Sequence, residues 1–197
     1  MLAYLFWHRP RPEAPVEAYE HAQIAFHRSL AHRPPVGMFG SALFRADELP
    51  WLPGEDGVAG YEDWYLLEDH AALGVLGEAA VGRGHRTAHD EAARRFGRGA
   101  GGLYGLLEGD ASAELLGGAP LAVWVGREAG ARSPAEGELL GDGMDPRHAS
   151  LWRRQLVLGP APEFCLVAPE APSGVAPSRL APGWTATTLQ RRVLWSG

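Results

Sequence analysis

The chain has 197 residues, a formal net charge of -6 and 46% hydrophobic residues, which is enough for one or two small packed domains. All 18 basic residues are arginines, and Cys165 is the only cysteine. The lack of lysine excludes P-loop, Schiff-base and kinase-type lysine chemistry. A single cysteine excludes an internal disulfide, a Cys-x-x-Cys pair, a thiolate zinc cage and an iron–sulfur site. The acidic balance argues against nucleic acid as a partner.

The apolar start of the chain, residues 1–7, is short and has no basic residue before it, so we expect no signal peptide. No apolar run approaches the roughly 20 residues that span a bilayer. We therefore predict a cytoplasmic protein without a membrane partner. The absence of lysine and asparagine, with abundant alanine, glycine, proline and arginine, is typical of a GC-rich bacterium.

Hydrophobic periodicity predicts four strands and three helices in the first part of the chain. The strands are predicted over 2–8, 36–45, 61–68 and 103–108. The first helix begins near Pro15 and ends before Pro34, and the second covers 70–81 with Asp69 as its N-cap. Thr87 is the predicted cap of the third helix, which ends at the glycine-rich run 97–102. This order is the β-α-β-β-α-β ferredoxin-like unit with an extra helix before its last strand.

The remaining residues repeat this order in reduced form. Strands are predicted over 121–127, 151–158, 163–167 and 184–195, with a connection at 159–162. Ser133 to Glu136 forms a capping box that opens a short helix to about Leu140, and 177–180 holds at most one helical turn. The repeat depends on element order more than on residue identity. It predicts two units, a ferredoxin-like unit with an extra helix over 1–112 and a reduced one over 119–197.

Two such units whose antiparallel sheets face each other resemble the dimeric α+β barrel superfamily. Its members include antibiotic-biosynthesis-type monooxygenases and chlorite-dismutase-like haem proteins, and some carry both units in one chain. The segment Tyr61 to Leu76, together with Gly101 to Tyr104, also resembles an uncharacterised bacterial group. The resemblance implies an α+β barrel whose second unit has reduced helices. It transfers no catalytic motif by position.

Polar side chains alternate with aromatic ones along the predicted strands. One face of each sheet must pack under helices, while the other would line the barrel lumen, where a few polar groups among aromatics make a ligand pocket. The candidate ligand-binding residues are His8, Glu62, Asp63, Trp64, Arg154 and Gln155. The sequence does not fix which face of each strand points inward. The alternative is that these charged groups form ion pairs at the barrel rim.

The remaining histidines and the cysteine give weaker signals. His85 and His89 could clamp a metal on one helix, but glycines place His85 outside it, so we predict no metal site. The first helix carries three histidines on different faces, which we interpret as surface residues: His21, His27 and His32. Cys165, in mid-strand, is expected to be a buried inert thiol. The run 97–102 is interpreted as a helix terminator and not as a phosphate loop.

Three hypotheses follow. The first is a small-molecule-binding protein whose ligand occupies the barrel lumen, with a cofactor-independent oxygenase as one form of it. The second is a non-catalytic structural or interaction module, in which the second half covers the first half's sheet and no cavity or buried titratable cluster exists. The third is a haem-binding protein, with haem as the one cofactor considered. Whether the chain is an enzyme stays open, and self-association is a further possible interaction.

Overall fold

The computed structural model describes residues 1–46, 48–52, 54, 58–82, 84–132, 139, 147–157, 161–169 and 182–197. Apart from Leu139, the predicted short helix over 133–140 lies outside these residues, as do the turn at 177–180 and residues 158–160. Of the helices in this described part of the chain, none is both long enough and apolar enough to cross a membrane.

The described residues form eight strands and four α-helices. The strands are β1 (Leu2–Pro10), β2 (Met38–Ala46), β3 (Gly60–Leu67), β4 (Phe96–Gly109), β5 (Leu121–Arg127), β6 (Ser150–Val157), β7 (Phe164–Ala168) and β8 (Trp184–Ser196). The helices are α1 (Val16–His32), α2 (His70–Val81), α3 (Arg86–Ala93) and α4 (Ala113–Gly117). Every predicted strand is found, while α4, which Ser112 caps, was not predicted.

The strands close into one antiparallel barrel in the order β1-β3-β2-β8-β5-β7-β6-β4. Within this ring, β4-β1-β3-β2 and β8-β5-β7-β6 each follow the 4-1-3-2 order of a ferredoxin-like sheet. The predicted α+β barrel fold is therefore confirmed. The division of the chain into units over 1–112 and 119–197 stays a prediction.

Large aromatic side chains fill the inside of the barrel. Every second residue of a strand points inward, and the inward set is almost entirely apolar. The largest inward side chains are fully buried: Trp7, Trp64, Trp124, Trp152 and Tyr104. The Trp7 and Trp124 rings meet edge to face with centroids 5.4 Å apart, as do those of Trp64 and Trp152. The predicted ligand cavity in the lumen is therefore wrong, because indole rings occupy that space.

The outer face of the first four strands packs under helices. Phe26 and Leu30 of α1 and Leu76 of α2 form a second core with Leu67 and Leu103 from the sheet. The predicted cap of α2 is confirmed, since the Asp69 carboxylate accepts a hydrogen bond from the Ala72 N–H at 2.9 Å. The predicted cap of α3 is wrong. That helix begins at Arg86, two residues earlier than a Thr87 cap requires, and His85 stands at its N-cap.

The glycine-rich run 97–102 lies inside β4 and does not terminate a helix, which corrects our interpretation. Its neighbour β1 carries aromatic side chains that lie across β4. A Cβ atom at Gly99 would come within 2.7 Å of the Phe6 ring, and one at Gly101 within 3.0 Å of the Tyr4 hydroxyl. These two glycines therefore leave room for the rings of the adjacent strand.

Candidate functional site

Two buried carboxylates stand next to each other on β3 and face opposite sides of the sheet. Glu62 is fully buried and points into the lumen, whereas Asp63 is 2% exposed and points toward the helices. This follows from the alternation of side chains along a strand. All eight residues of β3 are buried, so burial alone does not distinguish its two faces.

Glu62 forms a closed ion pair inside the barrel. It accepts hydrogen bonds from Trp7 Nε1 at 3.0 Å, Trp64 Nε1 at 2.7 Å and Arg191 Nη1 at 2.6 Å. The Arg191 guanidinium also donates to the Ala119 carbonyl at 2.7 Å and lies 4.0 Å from the centre of the Phe44 ring. Each charge thus has a partner of opposite sign, and buried aromatic residues surround the pair.

Asp63 is surrounded by imidazole and phenol groups. Its Oδ1 atom lies 3.0 Å from Nε2 of His8 and 3.4 Å from Nε2 of His27. Its Oδ2 atom accepts a hydrogen bond from the Tyr65 hydroxyl at 3.1 Å. Residues from β1, α1 and β3 therefore meet at one carboxylate.

A second layer of side chains orients the two imidazoles. Nδ1 of His8 lies 2.5 Å from the Tyr19 hydroxyl, and Nδ1 of His27 lies 2.9 Å from Oγ of Ser41. The His27 ring also stacks on Tyr65, with centroids 5.1 Å apart. Nε2 of His27 makes no hydrogen bond with any residue that the structure describes. Because the Nδ1 atom of each ring contacts a hydroxyl group, the Nε2 atom of each ring faces Asp63.

This environment fixes the charge of the carboxyl group. Burial by itself would raise the pKa of Asp63, but the hydrogen-bonded His8 imidazole and the nearby His27 imidazole hold that pKa well below its ordinary value. Burial, with the nearby Asp63 charge, raises the pKa of both the Tyr19 and the Tyr65 hydroxyl. At neutral pH the carboxylate is therefore ionised and the phenols keep their protons.

A cavity of about 600 Å³ lies between the outer face of the sheet and helices α1, α2 and α3. Its polar lining consists of Asp63, Tyr65, Gln23 and His89, together with the Tyr4 hydroxyl. The rest of the lining is apolar: Phe6, Phe26, Leu73, Leu76, Gly77, Ala80, Val81, Ala92, Ala93 and Phe96. Such a cavity, with apolar walls and a few converging polar groups, is typical of a small-molecule site.

The six predicted site residues lie in three different places. His8 and Asp63 belong to the network beside the cavity, whereas Glu62 and Trp64 contact each other in the lumen. Arg154, near the end of β6, donates a hydrogen bond to the Ala161 carbonyl at 2.6 Å. Gln155 is exposed.

Several residues of the network were not predicted from the sequence, above all Tyr19 and His27 of α1. The surface interpretation is right for His21 and His32, which are exposed, and wrong for His27, which is fully buried. The missed signal is spacing, because His27 lies eight residues after Tyr19, at the edge of the apolar stripe of α1.

The lining of the cavity does not match haem. His89 could serve as an axial ligand, but the described lining contains no arginine to bind the propionates. The buried Asp63 charge would also repel them. Nor does the described part of the chain contain a group of three or more His, Cys, Asp or Glu side chains arranged to hold a metal ion.

Comparisons with known proteins give a fold and no family. No protein-family description and no curated protein matches the sequence. Among solved structures, a proposed monooxygenase from Fusobacterium nucleatum subsp. nucleatum is similar, with a TM-score of 0.57 at 10% identity over 99% of this chain and 93% of that chain. At this identity the likeness shows the α+β barrel fold alone.

Two further structures have lower scores. An anthrone oxidase-like protein gives a TM-score of 0.49 at 12% identity over 98% of this chain and 93% of that chain. The other is a dimeric protein of unknown function with a ferredoxin-like fold, from Bacteroides fragilis. Its TM-score is 0.37 at 10% identity over 52% of this chain and 92% of that chain.

Proposed function

We propose that this protein binds a small, largely apolar molecule in the cavity between the sheet and helices α1 to α3. The observation that carries this function is a cavity of about 600 Å³ whose apolar walls meet a buried, ionised carboxylate, Asp63. A charge in such a place is costly unless it makes strong hydrogen bonds. A hydrogen-bond donor on the ligand would add one more hydrogen bond to those that Asp63 already accepts.

The lining also limits the chemistry of the ligand. The rings of Tyr4, Phe6, Phe26 and Phe96 favour a planar aromatic body that packs against them. Asp63 repels an anion, and the described lining contains no arginine to attract one. The ligand is therefore an uncharged or positively charged aromatic molecule with a hydrogen-bond donor. A purely structural module would need neither this cavity nor a buried titratable cluster beside it.

The binding experiment uses N-phenyl-1-naphthylamine, an uncharged aromatic probe whose fluorescence rises in apolar surroundings. We expect saturable binding to the wild type. Ala80→Phe fills part of the cavity and should weaken binding at least 10-fold, on the order of 1.4 kcal/mol. Ala71→Phe is the matched control, because Ala71 is exposed on the same helix and does not line the cavity. Equal affinity of the two variants would contradict the proposal.

The charge preference is tested with 2-naphthol and 2-naphthoate as competitors of the probe. We expect 2-naphthoate to bind at least 10-fold more weakly, about 1.4 kcal/mol, because its carboxylate approaches Asp63. Asp63→Asn should remove most of this difference, and circular dichroism should show that the variant keeps its fold. A wild type that prefers 2-naphthoate would show that the ligand chemistry inferred here is wrong.

A cofactor-independent oxygenase is the second candidate, favoured by the full-length fold likeness to a proposed monooxygenase. Such a reaction needs a base that turns the substrate into an electron-rich anion. Asp63 is a weak base because its pKa is low, so the base would be His89, whose Nδ1 lies 3.2 Å from Asp90 Oδ1. Oxygen uptake with 2-naphthol that is lost in His89→Gln would support this activity, and no uptake above buffer would rule it out for this substrate.

A further inference from the structure

The cavity opens to solvent between helices α2 and α3. Its exposed lining residues are Gly77 and Val81 of α2 and Ala93 of α3, whereas Asp63 and Ala92 are buried. Gly77 therefore lies at the rim of the opening. Gly77 has no side chain and Ala93 has a methyl group, so Val81 carries the largest of these three side chains.

Neither backbone conformation nor close packing requires the glycine at position 77. It lies in the interior of α2, where glycine is the least favourable residue after proline. Its backbone is helical, with no positive φ. A Cβ atom added there would meet no heavy atom within 4 Å, so close packing does not require glycine either.

We propose that Gly77 is a specificity-determining residue, which keeps the mouth of the cavity wide enough for a fused or biaryl aromatic molecule. This inference rests on the proposed function, since it concerns the ligand of the same cavity. A longer apolar side chain at position 77 would lie across the opening. In that position it covers the apolar residues of the lining, and the removal of their surface from water is favourable. Single-ring molecules would still pass where wider ones would not.

The same helix offers a matched control at Gly74. Gly74 is also exposed, also lies inside α2, and an added Cβ atom there would also meet nothing within 4 Å. It differs from Gly77 in one respect, which is that it does not line the cavity. Substitutions at the two positions should therefore affect helix stability alike and ligand binding differently.

The experiment compares Gly77→Ala, Gly77→Leu and Gly74→Leu with the wild type. We expect all three variants to have a Tm equal to or above that of the wild type, since alanine and leucine favour helix. The affinity for N-phenyl-1-naphthylamine should fall at least 10-fold in Gly77→Leu and less than 3-fold in Gly77→Ala. It should be unchanged in Gly74→Leu. The affinity for phenol, measured by calorimetry, should fall less than 3-fold in Gly77→Leu.

Two results would overturn the inference. If Gly77→Leu and Gly74→Leu bind the wide probe equally well while Ala80→Phe does not, the cavity is the binding site and Gly77 does not control access to it. If phenol and the wide probe lose affinity to the same extent in Gly77→Leu, the substitution alters the site without selecting by size. A wild type that binds neither molecule would overturn the proposed function and this inference with it.

Discussion

Glu62 and Asp63 are adjacent in sequence and equally hidden from water, yet they serve different parts of the molecule. Glu62 lies in the lumen, where Arg191 neutralises it at 2.6 Å and indole rings surround it. Asp63 lies under the helices, where its partners are imidazoles and a phenol and where a cavity of about 600 Å³ begins.

The two carboxylates differ in the kind of partner that they have and in the space beside them. An arginine is always charged, so the lumen pair keeps the same form at any physiological pH. The partners of Asp63 carry no such permanent charge, and a cavity lies beside this carboxylate. Burial of a carboxylate is thus a poor guide to function, whereas the nature of its partners and the space beside it are informative.

The largest effect is expected when the lumen pair is broken. Glu62→Gln leaves the Arg191 charge buried without an anion and should lower the free energy of unfolding by about 3–5 kcal/mol. The double variant Glu62→Leu/Arg191→Leu removes both charges and should recover most of this loss. Chemical denaturation measures both values. A single variant as stable as the wild type would show that the lumen charge is not structural.

A smaller, pH-dependent effect is expected at Asp63. Because its pKa is lowered in the folded protein, the ionised carboxylate stabilises the fold above its unfolded pKa of about 3.9, and this contribution is lost as pH falls below that value. Asp63→Asn should lower the free energy of unfolding by about 1–3 kcal/mol at pH 7. The difference from the wild type should shrink in denaturation experiments below about pH 4. A gap that stays constant down to pH 3 would argue against a lowered pKa.

The smallest effect concerns the access of a reagent to two thiols, one in the lumen and one at the cavity mouth. Burial and the charge of Glu62 raise the pKa of the Cys165 thiol, so the native protein should react with a disulfide reagent no faster than it unfolds. In a Cys165→Ala background, Ala93→Cys places a thiol at the cavity mouth and should react rapidly. Bound N-phenyl-1-naphthylamine should slow that reaction. Rapid labelling of native Cys165 would mean that the lumen is open.

Most of the fold could be predicted from the sequence because its strands show clear signals. Short runs of aromatic and aliphatic residues between proline- and glycine-containing segments marked the strands, and Asp69 was a recognisable helix cap. The glycine-rich start of β4 was misassigned, since glycine is more often found at helix ends than beside aromatic rings of a neighbouring strand. The helix α4 has five residues, too few to show a periodicity.

Much less of the candidate site could be predicted. Asp63 and His8 were identified as candidates from the sequence. The side of the sheet that they face could not be predicted, because it depends on how the strands pair and on where the helices pack. Both faces of β3 are buried, so its sequence lacks the alternation of polar and apolar residues that would reveal an outer face. The contact between His27 and Asp63 joins residues 36 positions apart and depends on the docking of α1 onto the sheet.

Closure of the barrel has a consequence for how the protein can associate with others. The pairings of β4 with β6 and of β2 with β8 complete the ring, so each described strand has a neighbour on both sides. A sheet without a free edge offers no unpaired backbone groups to an incoming strand. The eight described strands are therefore closed to association by strand addition or sheet extension.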